Sequence, residues 1–372
     1  MVRSPESRLT LAYGPVTIEL CSNDPAALEW LTEALGPCFT ATADIPRPDW
    51  WVRISKVHDP AGGLPVRLPR EAAPRACFAL DQEVLSFPTW PVGEGMVVAD
   101  VERSCLLTLT PRRVELRGDA RTPRWRFTAM WVCHEIAATR LRRTHLDVHA
   151  ASVEAAGRAV LIVGPKGAGK TTLSLHLLRS GGWRMMANDR AFVGREEASV
   201  VGRGLPTAVK VRPPTLVEFP ELLGHLPSVD RPYLYTLDEL TKVDAGVAPT
   251  ETTEFALNPA QLARQLGVER HGAAPLGAIV FPEVRADMIG WAADRLPPGE
   301  VGRRLSINLY GGPPGRREAT VFEDVDGGRS FPGGDVVDEI VQAVPGYSLT
   351  MCPRAYLDPA FSERLRATLI AP

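Results

Sequence analysis

The stretch that decides the fold reads Ala159-Val-Leu-Ile-Val163, followed by Gly164-Pro-Lys-Gly-Ala-Gly169-Lys170-Thr171-Thr172. The first five residues are apolar and mostly β-branched, the pattern of a buried strand. From Gly164 to Thr171 the chain fits G-x-x-x-x-G-K-[ST] at every fixed position. Gly164, Gly167 and Gly169 let the backbone turn where a side chain would clash, and let it approach a phosphate closely. The amides of Lys166, Ala168 and their neighbours, on to Thr172, can then point at an anion, and the helix starting near Lys170 aims its positive end at the same place. In such a loop Lys170 neutralises the β- and γ-phosphates, and the Thr171 hydroxyl holds Mg²⁺.

The flanks agree with the motif. Leu173, Leu175, Leu177 and Leu178 continue an apolar helix to Ser180, and Gly181-Gly182 ends it. Only five lysines occur in the chain (Lys56, Lys166, Lys170, Lys210 and Lys242), and two of them lie in this loop. Arginine is the default cation elsewhere. Lys166 either adds a second charge to the phosphates or points to solvent.

At 372 residues the chain is long enough for two domains. Its 45% hydrophobic and 23% charged residues are those of an ordinary globular protein. Forty-two Lys and Arg against 44 Asp and Glu leave a net charge of -2, which argues against nucleic acid or a membrane surface as partner. Cys21, Cys38, Cys77, Cys105, Cys133 and Cys352 form no C-x-x-C pair and read as reduced, mostly buried thiols. Cys133-His134 is read as core packing rather than a metal pair, because adjacent helical residues diverge and no further Cys/His cluster accompanies them. No signal-peptide run opens the chain and no stretch approaches eighteen uninterrupted apolar residues, so the expected location is cytoplasmic.

Two regions follow, 1–145 and 146–372. In the first, Leu9–Tyr13 and Val16–Leu20 alternate like strands about Gly14-Pro15, and Asp24-Pro25 opens a helix to Leu35, with Asp as its cap. Further strands are expected at Trp51–Ser55, Val84–Phe87 and Met96–Ala99, and a hairpin over 105–117. Trp50, Trp51 and Trp90 are read as core or rim aromatics. A long helix from Trp125 to about Arg143 ends in Arg140, Arg142 and Arg143, cations that suit its dipole. This is a small α+β domain without a catalytic constellation, a surface for recognising a substrate or partner.

In the second region, strands are expected at Asp147–Val153, Ala159–Val163, Trp183–Ala187 (with Ala191–Val193 as its continuation), Pro206–Val211, Leu276–Phe281 and Tyr347–Met351. Helices are expected at Pro259–Leu266, Asp335–Val344 and from Asp358-Pro359 to Leu369. Residues 220–256 look loop-rich, and Leu305–Leu309 leads into Gly311-Gly312-Pro313-Pro314. A carboxylate at a strand end should supply a second Mg²⁺ ligand. Asp189 is preferred, after an apolar strand and nineteen residues past Lys170; Glu283 is the other candidate. Arg190 and Lys210 either contact phosphate or make ordinary ion pairs.

Val148-His149-Ala150-Ala151-Ser152, the strand into Gly164–Thr172, and Met186-Ala-Asn188-Asp189-Arg190 together resemble the catalytic domain of bacterial HPr kinase/phosphorylase. They are more closely similar to the HPr-kinase-related proteins of peptide natural-product pathways. The resemblance spans about residues 145–368. It implies an α/β P-loop, HPr-kinase-like catalytic domain preceded by the smaller α+β domain. It also implies ATP or GTP with Mg²⁺ as cofactors, His149 as an active-site histidine and Asp189 as the second acid of a pair. The first acid, the family's general base, is Asn188 here. An amide takes no proton at neutral pH, and losing a general base lowers rates by about 10²–10⁴-fold. The family's phosphorylase segment is not recognisable.

The expected function is therefore ATP-dependent phosphorylation of a Ser/Thr-type hydroxyl on a peptide or protein, such as a natural-product precursor peptide. A nucleotide-binding regulatory or scaffolding subunit that has lost the reaction, and a small-molecule alcohol kinase, stay open beside it. A homo-oligomer is implied by analogy alone.

Overall fold

The computed structural model describes residues 6–42, 47–62, 73–80, 83–207, 209–211, 215, 218–223, 255–257, 259–310, 320–327 and 334–370. It is a mixed α/β structure with two large sheets. The chain divides into two compact units, Met1–Arg143 with Pro314–Phe331, and Thr144–Pro313 with Pro332–Pro372.

The first unit holds a nine-stranded sheet in the order Thr40–Thr42, Ser7–Tyr13, Val16–Ser22, Trp50–Val57, Arg113–Asp119, Cys105–Thr110, Gly95–Asp100, Glu83–Val92, Ala73–Leu80. Alternation drives it: along Val16–Ser22 every second residue is buried, and Trp50–Val57 begins the same way. The helices Pro25–Leu35 and Trp125–Leu141 cover the sheet. Asp24 precedes the first of them as expected, but its side chain does not cap it. It pairs with Arg126 at 3.2 Å and Lys56 at 3.8 Å instead. Gly118 is required where it stands, because a Cβ there would lie 2.2 Å from the Trp125 ring. Trp50 is fully buried, Trp90 sits in a small apolar cluster, and Trp51 is on the surface.

Residues 146–372, expected as one unbroken region, do not all lie in the second unit. Pro314–Phe331 belongs to the first unit instead. The helix Val321–Val325 brings Phe322 against Trp50 and Phe78, with ring centroids 6.2 and 5.6 Å apart. Burying such a ring contributes about 1.5–3 kcal/mol. The Arg cluster ending the long helix holds this segment, a role that a helix-dipole explanation misses. Arg142 is buried between Glu135 at 2.9 Å and Glu323 at 3.2 Å, while Arg140 and Arg143 pair with Asp326. Thr320 and Glu323 form a capping box, and the Thr320 hydroxyl donates to Glu135. Cys133 is a core thiol, pushed up to about 12 by burial against a backbone hydrogen bond that opposes it, and all six cysteines are free.

In the second unit, five strands hydrogen-bond in a closed circuit: His145–Ala155, Arg190–Glu196, Ser199–Gly204, Ala273–Val284 and Arg158–Val163, which returns to the first. Gly346–Met351 and Trp291–Leu296 extend the sheet beyond Ala273–Val284. Arg184–Ala187 and Arg190–Glu196 run along the same edge of His145–Ala155, interrupted at Asn188-Asp189.

Alternate residues feed two cores. Ala151, Val153, Val160, Ile162, Ala278 and Val280 meet Leu173–Leu178 of the helix Lys170–Ser180 and the helices Pro259–Leu266 and Phe361–Leu369. Leu146, Val148, Ala150, Leu161, Val163 and Ile279 meet the helices Pro298–Ser306 and Gly334–Ala343. Coverage on both faces is why these strands read as unbroken apolar runs. The helix Pro298–Ser306 and the strands Ser199–Gly204 and Trp291–Leu296 were not expected. Residues 224–254 and Gly311–Pro314, read as loops, lie outside the described residues. Among the described residues no helix is long and apolar enough to cross a membrane.

Replacing Arg142 by Ala leaves the Glu135 and Glu323 carboxylates buried without their common counter-ion. We expect a loss of about 3–5 kcal/mol from the unfolding of the first unit in urea, and a loss under about 1 kcal/mol contradicts the anchoring role.

Candidate functional site

The antiparallel pairing of His145–Ala155 with Arg158–Val163 ends at Ala150–Val163, where the chain turns into the glycine loop. Beyond that point the edge of the first strand is taken by residues 308–310. His149 N donates to Asn308 O, Tyr310 N donates to Asp147 O, and Val148 bridges Leu309. Strand alternation puts His149 and Asp147 on the same side as Ala151 and Val153, the face carrying the helix Lys170–Ser180. Asp189 sits in the interruption on the opposite edge, its carbonyl accepting from Ala150 N.

The loop turns through two left-handed glycines, Gly167 at φ 89° and Gly169 at φ 86°, and Gly169 is the residue before the helix. A Cβ on Gly169 would come within 3.3 Å of Val284, and one on Gly164 within 2.9 Å of Ala168. No side chain caps the helix, so its first amides stay available to a ligand. Lys166 and Gly167 are exposed; Ala168, Thr171 and Thr172 are half-buried.

Lys170 turns inward. Its Nζ donates to Gly164 O at 2.7 Å and Pro165 O at 3.2 Å, and contacts His149 Nε2 at 2.7 Å. These three contacts use all three ammonium protons. Since an ammonium only donates, Nε2 of His149 must accept, which assigns the ring proton to Nδ1. Nδ1 faces Asp189 Oδ1 at 3.2 Å, an electrostatic contact rather than a well-aligned hydrogen bond. Asp189 Oδ2 accepts a hydrogen bond from the Tyr310 hydroxyl. The result is a continuous chain, Lys170–His149–Asp189–Tyr310.

Burial lowers Lys170 to about 8, with Asp189 partly opposing the shift. Burial also pushes the Asp189 carboxyl up, but His149, the Tyr310 hydroxyl and Lys170 outweigh it and hold the carboxyl below its ordinary value. Behind the chain, Arg190 is fully buried in a bidentate pair with Asp147, at 2.8 and 2.6 Å, with its guanidinium 4.7 Å from the Tyr310 ring centroid. Its partner is a buried carboxylate, not a surface one.

The structure therefore brings Gly164, Lys170, His149 and Asp189 together. Asn188 is buried beside Asp189 in the chain. Glu283 is exposed near the end of its strand, next to the Val284 that abuts Gly169. The Lys210 side chain lies outside the described residues. Tyr310 is the member that sequence reasoning missed. It enters through the pairing of 308–310 with 147–149, which no local pattern announces.

Among the described residues no group of three His, Cys, Asp or Glu is placed to hold a metal ion. A hard cation at this loop would draw on an ionised carboxylate, Asp189, and a hydroxyl, Thr171. These oxygen donors suit Mg²⁺, which takes few protein ligands when phosphates supply the rest.

No protein-family profile and no curated protein matches the chain. Among solved structures, an HPr(Ser) kinase/phosphatase from Coxiella burnetii matches with a probability of 1.00, over 60% of this chain and 97% of that one. Sequence identity is 9% and the TM-score is 0.29, a distant likeness.

The Tyr310 hydroxyl tests the site's electrostatics. Asp189 titrates below its ordinary 3.8, so its contribution to stability is present above that value and lost as pH falls through the folded-state value. Tyr310→Phe should raise the Asp189 titration, followed by carboxyl NMR, and weaken the fold by about 1.5–3 kcal/mol at neutral pH. An unmoved titration contradicts the contact.

Proposed function

We propose that the chain is a nucleotide-dependent phosphotransferase whose glycine loop binds the phosphates of ATP and whose acceptor is a hydroxyl on a peptide or protein. One observation carries the proposal: a buried, inward-turned Lys170 at the start of a helix, in contact with a histidine that is backed by an ionised carboxylate. A fixed cation beside uncapped helix amides is what a triphosphate requires. In that reading a phosphate oxygen would take the place of Gly164 O and His149 Nε2 among the partners of Lys170 Nζ.

In that reading the loop amides and Lys170 orient the phosphates, while Thr171 and Asp189 hold Mg²⁺, which supplies charge neutralisation when bound. His149 contacts Lys170 and Asp189 contacts His149, so both would lie near the phosphates that Lys170 holds. Positioning and charge neutralisation account for most of the catalysis in phosphoryl transfer, so a site without a carboxylate at 188 remains competent. The acceptor class rests on the sequence resemblance, with the first unit as the recognition surface. The buried amide of Asn188 favours a second reading, a nucleotide-binding regulatory subunit.

The test is γ-labelled ATP with Mg²⁺ in an extract of the source cells, beside a Lys170→Ala variant. We expect label on a discrete peptide or protein, absent with the variant. Bound nucleotide without transferred label supports the regulatory reading instead. Because Lys170 titrates near 8, ATP affinity should be flat below that pH. Above it, affinity should fall by about tenfold per pH unit as the free protein loses the ammonium charge. An affinity unchanged up to pH 9.5 contradicts Lys170 as the phosphate cation.

A further inference from the structure

We propose that His149 itself accepts the phosphoryl group on Nε2, so that transfer runs through a phosphohistidine. This rests on the nucleotide reading of the loop and extends it to the transfer step.

The ring is already set as a nucleophile. Nδ1 faces Asp189 Oδ1 at 3.2 Å, and Nε2 receives a hydrogen bond from Lys170 at 2.7 Å, so the in-plane lone pair lies on Nε2. Positive charge developing on the ring during attack meets a carboxylate that Tyr310 steadies from the far side. An adjacent acid that orients the nucleophilic group is the general logic of covalent catalysis.

The group now covering that lone pair is the cation of the phosphate loop. When Lys170 exchanges Nε2 for a phosphate oxygen, it uncovers the lone pair next to the phosphate it has captured. One movement therefore binds the donor and arms the acceptor. His149 has little other freedom, since its amide is tied to Asn308 and its side chain is 8% exposed.

Asn188 fits the same chemistry. An imidazole lone pair attacks without a general base, so the first transfer does not depend on a carboxylate at 188, where this chain has a buried amide. In the first half, Nε2 attacks the γ-phosphorus and an N–P bond forms. The bond from phosphorus to the β,γ-bridging oxygen breaks, and nucleoside diphosphate leaves with its electron pair. The Nδ1 proton stays in place facing Asp189. In the second half, the acceptor hydroxyl oxygen bonds to phosphorus and the N–P pair returns to Nε2. The hydroxyl proton is released to bulk water, and Asp189 stays ionised facing Nδ1.

The experiment follows isotope exchange between ADP and ATP with the full chain, Mg²⁺ and no acceptor, together with label from γ-labelled ATP on the protein. We expect exchange, and a protein-bound label that survives alkali and is lost in mild acid. His149→Gln and His149→Asn should lower exchange by about 100-fold or more while nucleotide binding, measured separately, persists. Should neither variant bind, peptide mapping of the labelled wild-type chain decides: label on His149 supports the proposal, and label on any other residue overturns it. A wild-type chain that binds ATP yet shows neither exchange nor alkali-stable label also overturns it, and leaves the nucleotide reading standing. Failure to bind ATP at all overturns both.

Discussion

A buried ammonium is tolerable only when every proton has an acceptor, and the second unit is built so that Lys170 has three. Two are carbonyls of its own loop and the third is a ring nitrogen on a neighbouring strand. Burial still lowers its proton affinity to about 8, so the group keeps its charge at neutral pH with little margin. In the proposed nucleotide complex that balance would make the lysine exchangeable, since a doubly charged phosphate is a better partner than two carbonyls and an imidazole. The loop glycines, the helix start and the position of His149 all serve this one contact.

The supporting layers follow from the same constraint. His149 can reach Lys170 because its strand is covered on both faces and alternates its residues between two cores. Asp189 can reach His149 because the opposite edge is interrupted at Asn188-Asp189. Tyr310 arrives where the departing loop leaves a strand edge free, and the Asp147–Arg190 pair packs behind it. Breaking that buried pair from one side strands a charge at a penalty of about 3–5 kcal/mol.

Much of the frame could be read from residues alone. The hairpin 105–117 and the helices Pro25–Leu35 and Pro259–Leu266 carry local signals, namely turn residues, Pro at a first turn and apolar periodicity. The loop is readable for the same reason, with Gly167 and Gly169 where a left-handed backbone is needed. What stayed hidden is non-local. Nothing near Tyr310 announces a partner more than a hundred residues away, and nothing near Arg142 shows that Glu323 will neutralise it. The Thr320–Glu323 capping box was a local signal that could have marked the helix Val321–Val325, though not the unit to which that helix belongs.

The most direct test is a crystal structure with a non-hydrolysable ATP analogue and Mg²⁺. The account predicts that Lys170 Nζ leaves Gly164 O and His149 Nε2 for a phosphate oxygen, with Nε2 turned toward the γ-phosphorus. Lys170 remaining on Gly164 O and His149, with the analogue bound elsewhere or not at all, would contradict it.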